Sequence, residues 1–407
     1  MPQGLGFDPD QTFSLGELAF IGVALVAAAI LSFLLTPVAI RIAVRAGAID
    51  EPDAGRRVHR MPIPRGGGLA VAVSFMVVGI AAWWFADARH IYANWPNVTL
   101  LHHLKVEQLA VMMGGVVVAA AFGFIDDKWQ VRARWQLLEQ LILAGMAIAG
   151  GIVITFVYNP FEFLGGVLDT EKFVFHPETV TWLVTALWII GMINSINFID
   201  GLDGLSTGVS LVAAVTLGVI SITGIPFNVE PMVGLFCGVL AGALAGFLPW
   251  NFHPAKVFIG TTGVYVVGFL LAVLSILGTA KVAVALLILG VPIIDTFWII
   301  VRRVSHGRSP FTPDRGHFHH RLLDLGLTHR NAVLVIYGLC TVLAAVSIWV
   351  SEKQAIYAFL GIVVAGGIVL FFASRRAQEA LDARSYPDEP DPAGVADADA
   401  QHTDPSR

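Results

Sequence analysis

LGELAFIGVALVAAAILSFLLTPVAIRI, residues 15–42, sets the reading of the whole chain. Its only charges, Glu17 and Arg41, sit near its two ends, and ~20 mostly apolar residues suffice for a helix to cross the hydrocarbon layer. The stretch predicts a membrane-spanning helix. Runs of the same kind recur at roughly 67–86, 108–125, 136–157, 179–196, 206–224, 230–249, 263–279, 282–301, 332–350 and 355–373, separated by short polar loops. The expected fold is an all-α integral membrane protein of about 10–11 transmembrane helices.

Composition agrees. Of 407 residues, 56% are hydrophobic and 14% charged, a balance that a soluble domain with a charged surface does not have. Residues 1–378 read as one polytopic membrane domain. Residues 379–407 are rich in Pro, Asp and Ala and poor in large apolar residues, the composition of a disordered acidic tail. The first residues carry Asp8 and Asp10 but no Lys or Arg, unlike a cleaved signal peptide, so the first span is expected to remain. Cys237 and Cys340 both fall in apolar runs and read as packing residues, not as a disulfide or a thiolate metal site.

Orientation follows from where the basic residues fall, because cytoplasmic loops are enriched in Lys and Arg. With the N-terminus outside, only Arg89, Lys105, Lys172, Lys281 and Lys353 of the 25 Lys and Arg lie outside. The same parity places every polar motif on the cytoplasmic face. No internal repeat suggests an inverted-repeat transporter.

Five polar segments carry the chemistry. FGFIDDKWQVRARWQ (122–136) ends the third span with Asp126 and Asp127, adjacent carboxylates that repel unless a cation or Arg lies between them; a solvated helix end is the plain alternative. NSINFIDGLDGLSTG (194–208) sets Asn194, Asn197, Asp200 and Asp203 among glycines, the oxygen donors that a hard cation shares with substrate phosphates. NFHPAKVFIGTTGVY (251–265) carries Lys256 and a glycine turn into a helix, whose N-terminal N–H groups suit an anion. Asp295, in GVPIIDTFWIIVRR (290–303), lies within the ninth span, where an ionisable residue faces a bundle interior or wet cavity. RRVSHGRSPFTPDRGHFHHRLLDLG (302–326) is dense in Arg and His. It has no cysteine and no HExxH spacing, so phosphate or nucleotide contact is expected rather than zinc. A further stretch, RRVHRMPIPRGGG (56–68), reads equally well as positive-inside charge alone.

In their order and spacing, DDK, NSINFIDGLDGL, NFHPAKVFIG, PIID, RR and SPFTPDRGHFHH resemble the polyprenyl-phosphate N-acetylhexosamine-1-phosphate transferases, from about Arg56 to Gly326. The resemblance implies transfer of a sugar 1-phosphate from a UDP-sugar to a polyprenyl (undecaprenyl) phosphate, with release of UMP, at a bacterial inner membrane and with catalytic loops in the cytoplasm. It implies Mg2+ or Mn2+ as cofactor. Asp126, Asp127, Asp200, Asp203 and Asp295 then match catalytic positions, with Asp127, Asp200 and Asp203 as metal ligands. Asn194, Asn197, Lys256, Arg303, His317, His319 and His320 match substrate-binding positions. The expected partners are the lipid, the UDP-sugar and the membrane, with a homodimer as the oligomer to test for and no nucleic acid.

Two details qualify the match. The family usually reads Gly-Asp-Ser/Thr-Gly where this chain has Gly260, Thr261, Thr262 and Gly263, so a hydroxyl replaces a carboxylate. The HFHH run after PDRG looks more like the GlcNAc-1-phosphate branch than the phospho-MurNAc-pentapeptide branch. The competing readings are that second branch, an inactive homologue, and a lipid transporter. A transporter would hold its charges in broken helices at the membrane midplane, whereas most polar motifs here sit at helix ends.

Overall fold

The computed structural model describes residues 15–51, 62–88, 104–159, 172–174, 177–223, 230–278, 285–286, 289–290, 293–295, 318–350 and 354–364. Helices dominate: α1 (Leu15–Ala46), α2 (Gly68–Ala88), α3 (Val106–Trp129), α4 (Ala133–Ala149), α5 (Glu178–Ile199), α6 (Leu205–Thr223), α7 (Pro231–Asn251), α8 (Gly260–Leu277), α9 (Phe318–Asp324) and α10 (His329–Trp349). Among the described residues eight helices, α1 to α3, α5 to α8 and α10, are long and apolar enough to cross a membrane. A shorter apolar helix, Gln354–Val364, follows. Met1–Phe359 forms one compact unit and Leu360–Arg407 another; the expected tail from residue 379 lies outside the described residues.

The centre of the bundle is α7 and α8, whose apolar windows are 89% and 83% buried, against 22% for α1 and 33% for α10. Sequence explains the difference. In α7 glycines recur every fourth residue at Gly238, Gly242 and Gly246, which removes side chains from one ridge and lets another backbone approach. The Leu25 and Ala29 carbonyls of α1 press on Gly242 and Gly246, where a Cβ would overlap them. Around α8 the same device recurs: Gly68 of α2 meets Gly263, Gly123 of α3 meets the Thr262 backbone, and Gly268 meets Ile193 of α5. Val23, Val26, Ile30 and Leu34 of α1 and Val342 and Val346 of α10 stay exposed, as expected of surfaces solvated by lipid tails.

The fourth span differs from its predicted extent of 136–157. The helix stops at Ala149, where Gly151 takes φ +72° and the Ile152 amide donates back to the Ala147 carbonyl, a glycine helix stop. The chain continues extended, with Ile154 donating to Thr185 Oγ1, into a three-residue hairpin. Its strands β3 (Phe156–Tyr158) and β4 (Lys172–Val174) pair antiparallel. A second small hairpin, β1 (Ile49–Asp50) with β2 (Ile63–Pro64), closes the polar end of α1 and α2.

Candidate active site

Three of the five polar segments meet at one end of the bundle. The last turn of α3 carries Asp126 and Asp127, the turn between α5 and α6 carries Asp200 and Asp203, the loop from α7 into α8 carries His253 and Lys256, and the first turn of α8 carries Thr261. Backbone pairing fixes that loop: Phe258 N–H donates to the Pro64 carbonyl, and Gly67 and Gly68 donate to Phe258 and Ile259.

The two adjacent carboxylates accept hydrogen bonds from the start of α8. Asp127 is 2% exposed. Its Oδ1 accepts the Thr261 amide at 2.7 Å, and its Oδ2 accepts the Thr262 amide at 3.0 Å and the Thr262 hydroxyl at 2.6 Å. Gly260 makes this approach possible, with φ +69° and a Cβ position that falls against the carboxylate. Asp126 accepts the Thr261 hydroxyl on Oδ2 at 2.6 Å and, on Oδ1, Val131 N–H at 2.9 Å and Gln136 Nε2 at 3.0 Å. The helix N-terminus expected to receive an outside anion is thus occupied by an anion of the chain itself, with the helix dipole favouring the charge.

Asp200 caps the C-terminal end of α5, and its Oδ1 accepts the Ser206 hydroxyl at 2.5 Å. Burial pushes its carboxyl up to about 6; Ser206 and the charge of Arg65 pull the other way, while Asp127 and Asp203 add to the rise. Asp203 is a junction. Its Oδ2 lies 2.7 Å from His253 Nδ1 and accepts the Ala255 amide at 3.1 Å, while its own amide donates to His329 Nε2 at 2.8 Å. Tyr337 of α10 donates to the next carbonyl, Gly204, at 2.5 Å. The 200–204 turn is therefore tied to both the α7–α8 loop and α10.

Asn194 Nδ2 donates to Gln140 Oε1 and to the Ile190 carbonyl, both at 2.8 Å, and so joins α4 to α5. Asn197 is half-buried, and its carbonyl accepts the Asp200 amide at 3.3 Å. Lys256 is exposed, its ammonium 5.1 Å from the centre of the Trp250 ring. Asp295 is buried, as its depth in the ninth span predicted. Arg303 and His317 lie outside the described residues, and of His319 and His320 only the α9 backbone is described.

The donor set can be tested against a divalent cation. Every carboxylate oxygen of Asp126 and Asp127 accepts a protein hydrogen bond, and Asp203 Oδ2 accepts two. Asp200 has Ser206 on one oxygen only. Such a set suits Mg2+ held by one or two carboxylates together with substrate phosphates, not a closed protein cage. Asp203, His253 and His329 also bring three ligand-type atoms within 4.8 Å. The two imidazoles, however, stack at 4.4 Å with planes 19° apart, so no nearby point lies in both ring planes, as shared ligation of one ion by their ring lone pairs needs.

Sequence reasoning missed four polar residues of this end. Arg65 was not singled out within a basic stretch that reads equally well as positive-inside charge alone. His253 and His329 were not singled out, and His329 opens an apolar span with no neighbouring motif to mark it. Glu139 of α4 is 1% exposed, and neither of its oxygens has a hydrogen-bond partner among the described residues; with Gln136 and Gln140 it forms a polar stripe at helical spacing.

This combination, a multi-pass helical bundle with carboxylates gathered at one end, defines a membrane enzyme, and comparison with known proteins gives its class. Residues 109–279 match the Glycosyl transferase family 4. The chain is 34% identical over 347 residues, 81% of its length and 87% of the relative's, to a probable undecaprenyl-phosphate N-acetylglucosaminyl 1-phosphate transferase of Bacillus subtilis. It is 33% identical over 396 residues, 90% and 92% of the two lengths, to the decaprenyl-phosphate N-acetylglucosaminephosphotransferase of Mycobacterium tuberculosis. A phospho-N-acetylmuramoyl-pentapeptide-transferase of Staphylococcus saprophyticus is 28% identical over 335 residues, 79% and 97%. The chain belongs to the polyprenyl-phosphate N-acetylhexosamine-1-phosphate transferase family.

Proposed function

We propose that this enzyme transfers GlcNAc-1-phosphate from UDP-GlcNAc to undecaprenyl phosphate and so begins a cell-envelope polysaccharide. The supporting observation is the meeting of the Asp126–Asp127, Asp200–Asp203 and 251–265 segments at one bundle end, where a lipid phosphate and a water-soluble nucleotide can both arrive. The higher identity to the two GlcNAc-1-phosphate relatives than to the pentapeptide transferase supports the choice of sugar.

In this reading an oxygen of the lipid phosphate attacks the sugar-bearing β-phosphorus of the donor. The phosphoanhydride bond to UMP breaks as a new one forms, and UMP carries away the bonding pair. A bound Mg2+ or Mn2+ would neutralise charge developing on the phosphate oxygens. Asp200, with one oxygen engaged by Ser206 alone, would be its best-placed ligand. Asp126 and Asp127 fix the start of α8 in the site, and the Asp203 junction fixes the turn that presents Asp200. Catalysis of this kind is mostly positioning and charge neutralisation.

The test is purified full chain with undecaprenyl phosphate and a panel of radiolabelled UDP-sugars, scored for labelled lipid and UMP. Labelled lipid from UDP-GlcNAc alone is expected; none from any sugar with either metal would favour an inactive homologue, for which the hydroxyl at Thr261 is the specific pointer. The basic-residue count supports a cytoplasmic position for this bundle end. Lys256→Cys, at an exposed position, should then resist an impermeant thiol reagent in intact cells, and labelling from outside would reverse the topology.

A further inference from the structure

Arg65 is fixed by its backbone, and among the described residues no hydrogen bond engages its side chain. Its amide donates to the Ala48 carbonyl at 2.9 Å, and it bridges in parallel to Phe258, two residues before the glycine that abuts Asp127. Among the described residues its side chain makes one ion pair, Nε to Asp50 Oδ1 at 3.5 Å, too long and too poorly directed to be a hydrogen bond, and Nε is buried without an acceptor among them. Among the described residues no acceptor takes a hydrogen bond from this guanidinium, a planar fork of five N–H donors.

Location separates Arg65 from the other cations nearby. Lys128, Arg132, Arg134 and Lys256 are exposed, whereas Arg65 is half-buried. Its charge reaches Asp127 and Asp200 together. A buried donor without an acceptor is costly, and a planar fork of donors matches a phosphate better than it matches a single carboxylate oxygen.

We propose that Arg65 is a phosphate-binding residue of this site, its guanidinium holding oxygens of a phosphate or diphosphate group that lies between it and Asp200. The proposal rests on the transferase reading for the identity of its ligands but not for the existence of the site. Two sources can supply the group, the diphosphate of the nucleotide donor and the phosphate of the lipid acceptor.

Equilibrium binding to the purified full chain in detergent separates them, with UDP-GlcNAc, undecaprenyl phosphate and inorganic pyrophosphate as three independent probes. Arg65→Gln should weaken one of the first two by roughly 10- to 100-fold, the range for losing hydrogen bonds to a charged group. Arg65→Lys, which keeps charge without the fork, should lose less but still measurably. Weakening confined to UDP-GlcNAc assigns the donor diphosphate, and weakening confined to undecaprenyl phosphate assigns the acceptor. Unchanged affinity for all three probes in Arg65→Gln with a wild-type melting temperature overturns the proposal; if that variant does not fold, wild-type affinities in Arg65→Lys do the same. Wild-type protein that binds pyrophosphate through Arg65 but neither substrate would sink the transferase reading and leave this one standing. Protein that binds none of the three would sink both.

Discussion

The Thr261 hydroxyl donates to Asp126 Oδ2 at 2.6 Å. A neutral donor therefore stands at the distance where the family's usual carboxylate would meet another carboxylate. Restoring that residue should set two acceptors against each other, beside a third at Asp127.

Thr261→Asp is accordingly expected to lower the melting temperature in EDTA and to recover it in millimolar Mg2+, while the wild type responds less to either. Its half-maximal Mg2+ for transfer should also fall. A variant whose melting temperature ignores EDTA and Mg2+ would show that no cation is drawn to this junction.

Asp127 is both a site residue and the acceptor that holds the start of α8. Asp127→Asn keeps the shape but puts donors opposite donors, so transfer should be lost and the melting temperature lowered as well. Thr262→Val removes one of the three bonds and should cost roughly 1–3 kcal/mol, since it leaves Asp127 short of a buried partner. Thermal denaturation of both in detergent decides it; wild-type stability in each would mean that α8 is positioned by packing alone.

For Asp200 the sign of the pH effect is fixed by a carboxyl raised from 3.8 to about 6. Between those values the folded chain keeps a proton that the unfolded chain has released. The associated stability is complete below the unfolded value and is lost as pH rises through about 6. In EDTA the wild-type melting temperature should thus decline from about pH 4 to about pH 6.5 more steeply than that of Asp200→Asn, and level off above. Parallel slopes would remove Asp200 as the titrating group.

The Asp203 junction predicts a graded series. Asp203→Ala, which frees His253 and the Ala255 amide, should destabilise more than Tyr337→Phe, which loses only the bond to the Gly204 carbonyl and should cost about 1 kcal/mol. The reverse order in melting temperature would locate the anchoring of this turn in α10 rather than in the carboxylate.

Long apolar runs made the spans legible, and the motifs around Asp126, Asp200 and Thr261 were legible as one face because each lies at a helix end of the same parity. Their internal bonding was not. A glycine turn leading into a helix looks the same whether its amides await a ligand or a residue such as Asp127, far off in sequence, and only the packing of α3 on α8 decides. The end of α4 was misplaced because Ile152 to Val157 continue the apolar pattern past Gly150 and Gly151, and that short run suits a strand as well as a helix turn. His329 carried no local signal, since its partners come from turns distant in sequence.

The seat of α1 on Gly242 and Gly246 has a consequence for how the protein is made. Leu25 and Ala29 emerge from the ribosome long before α7 does; at roughly 5–20 residues per second the delay is on the order of 10–40 s. Throughout that time α1 must remain in the bilayer without its mate. It is the most apolar of the eight candidate spans among the described residues, which suits a helix that waits alone in lipid, and a bulkier residue at Gly242 or Gly246 would leave it waiting after synthesis has ended.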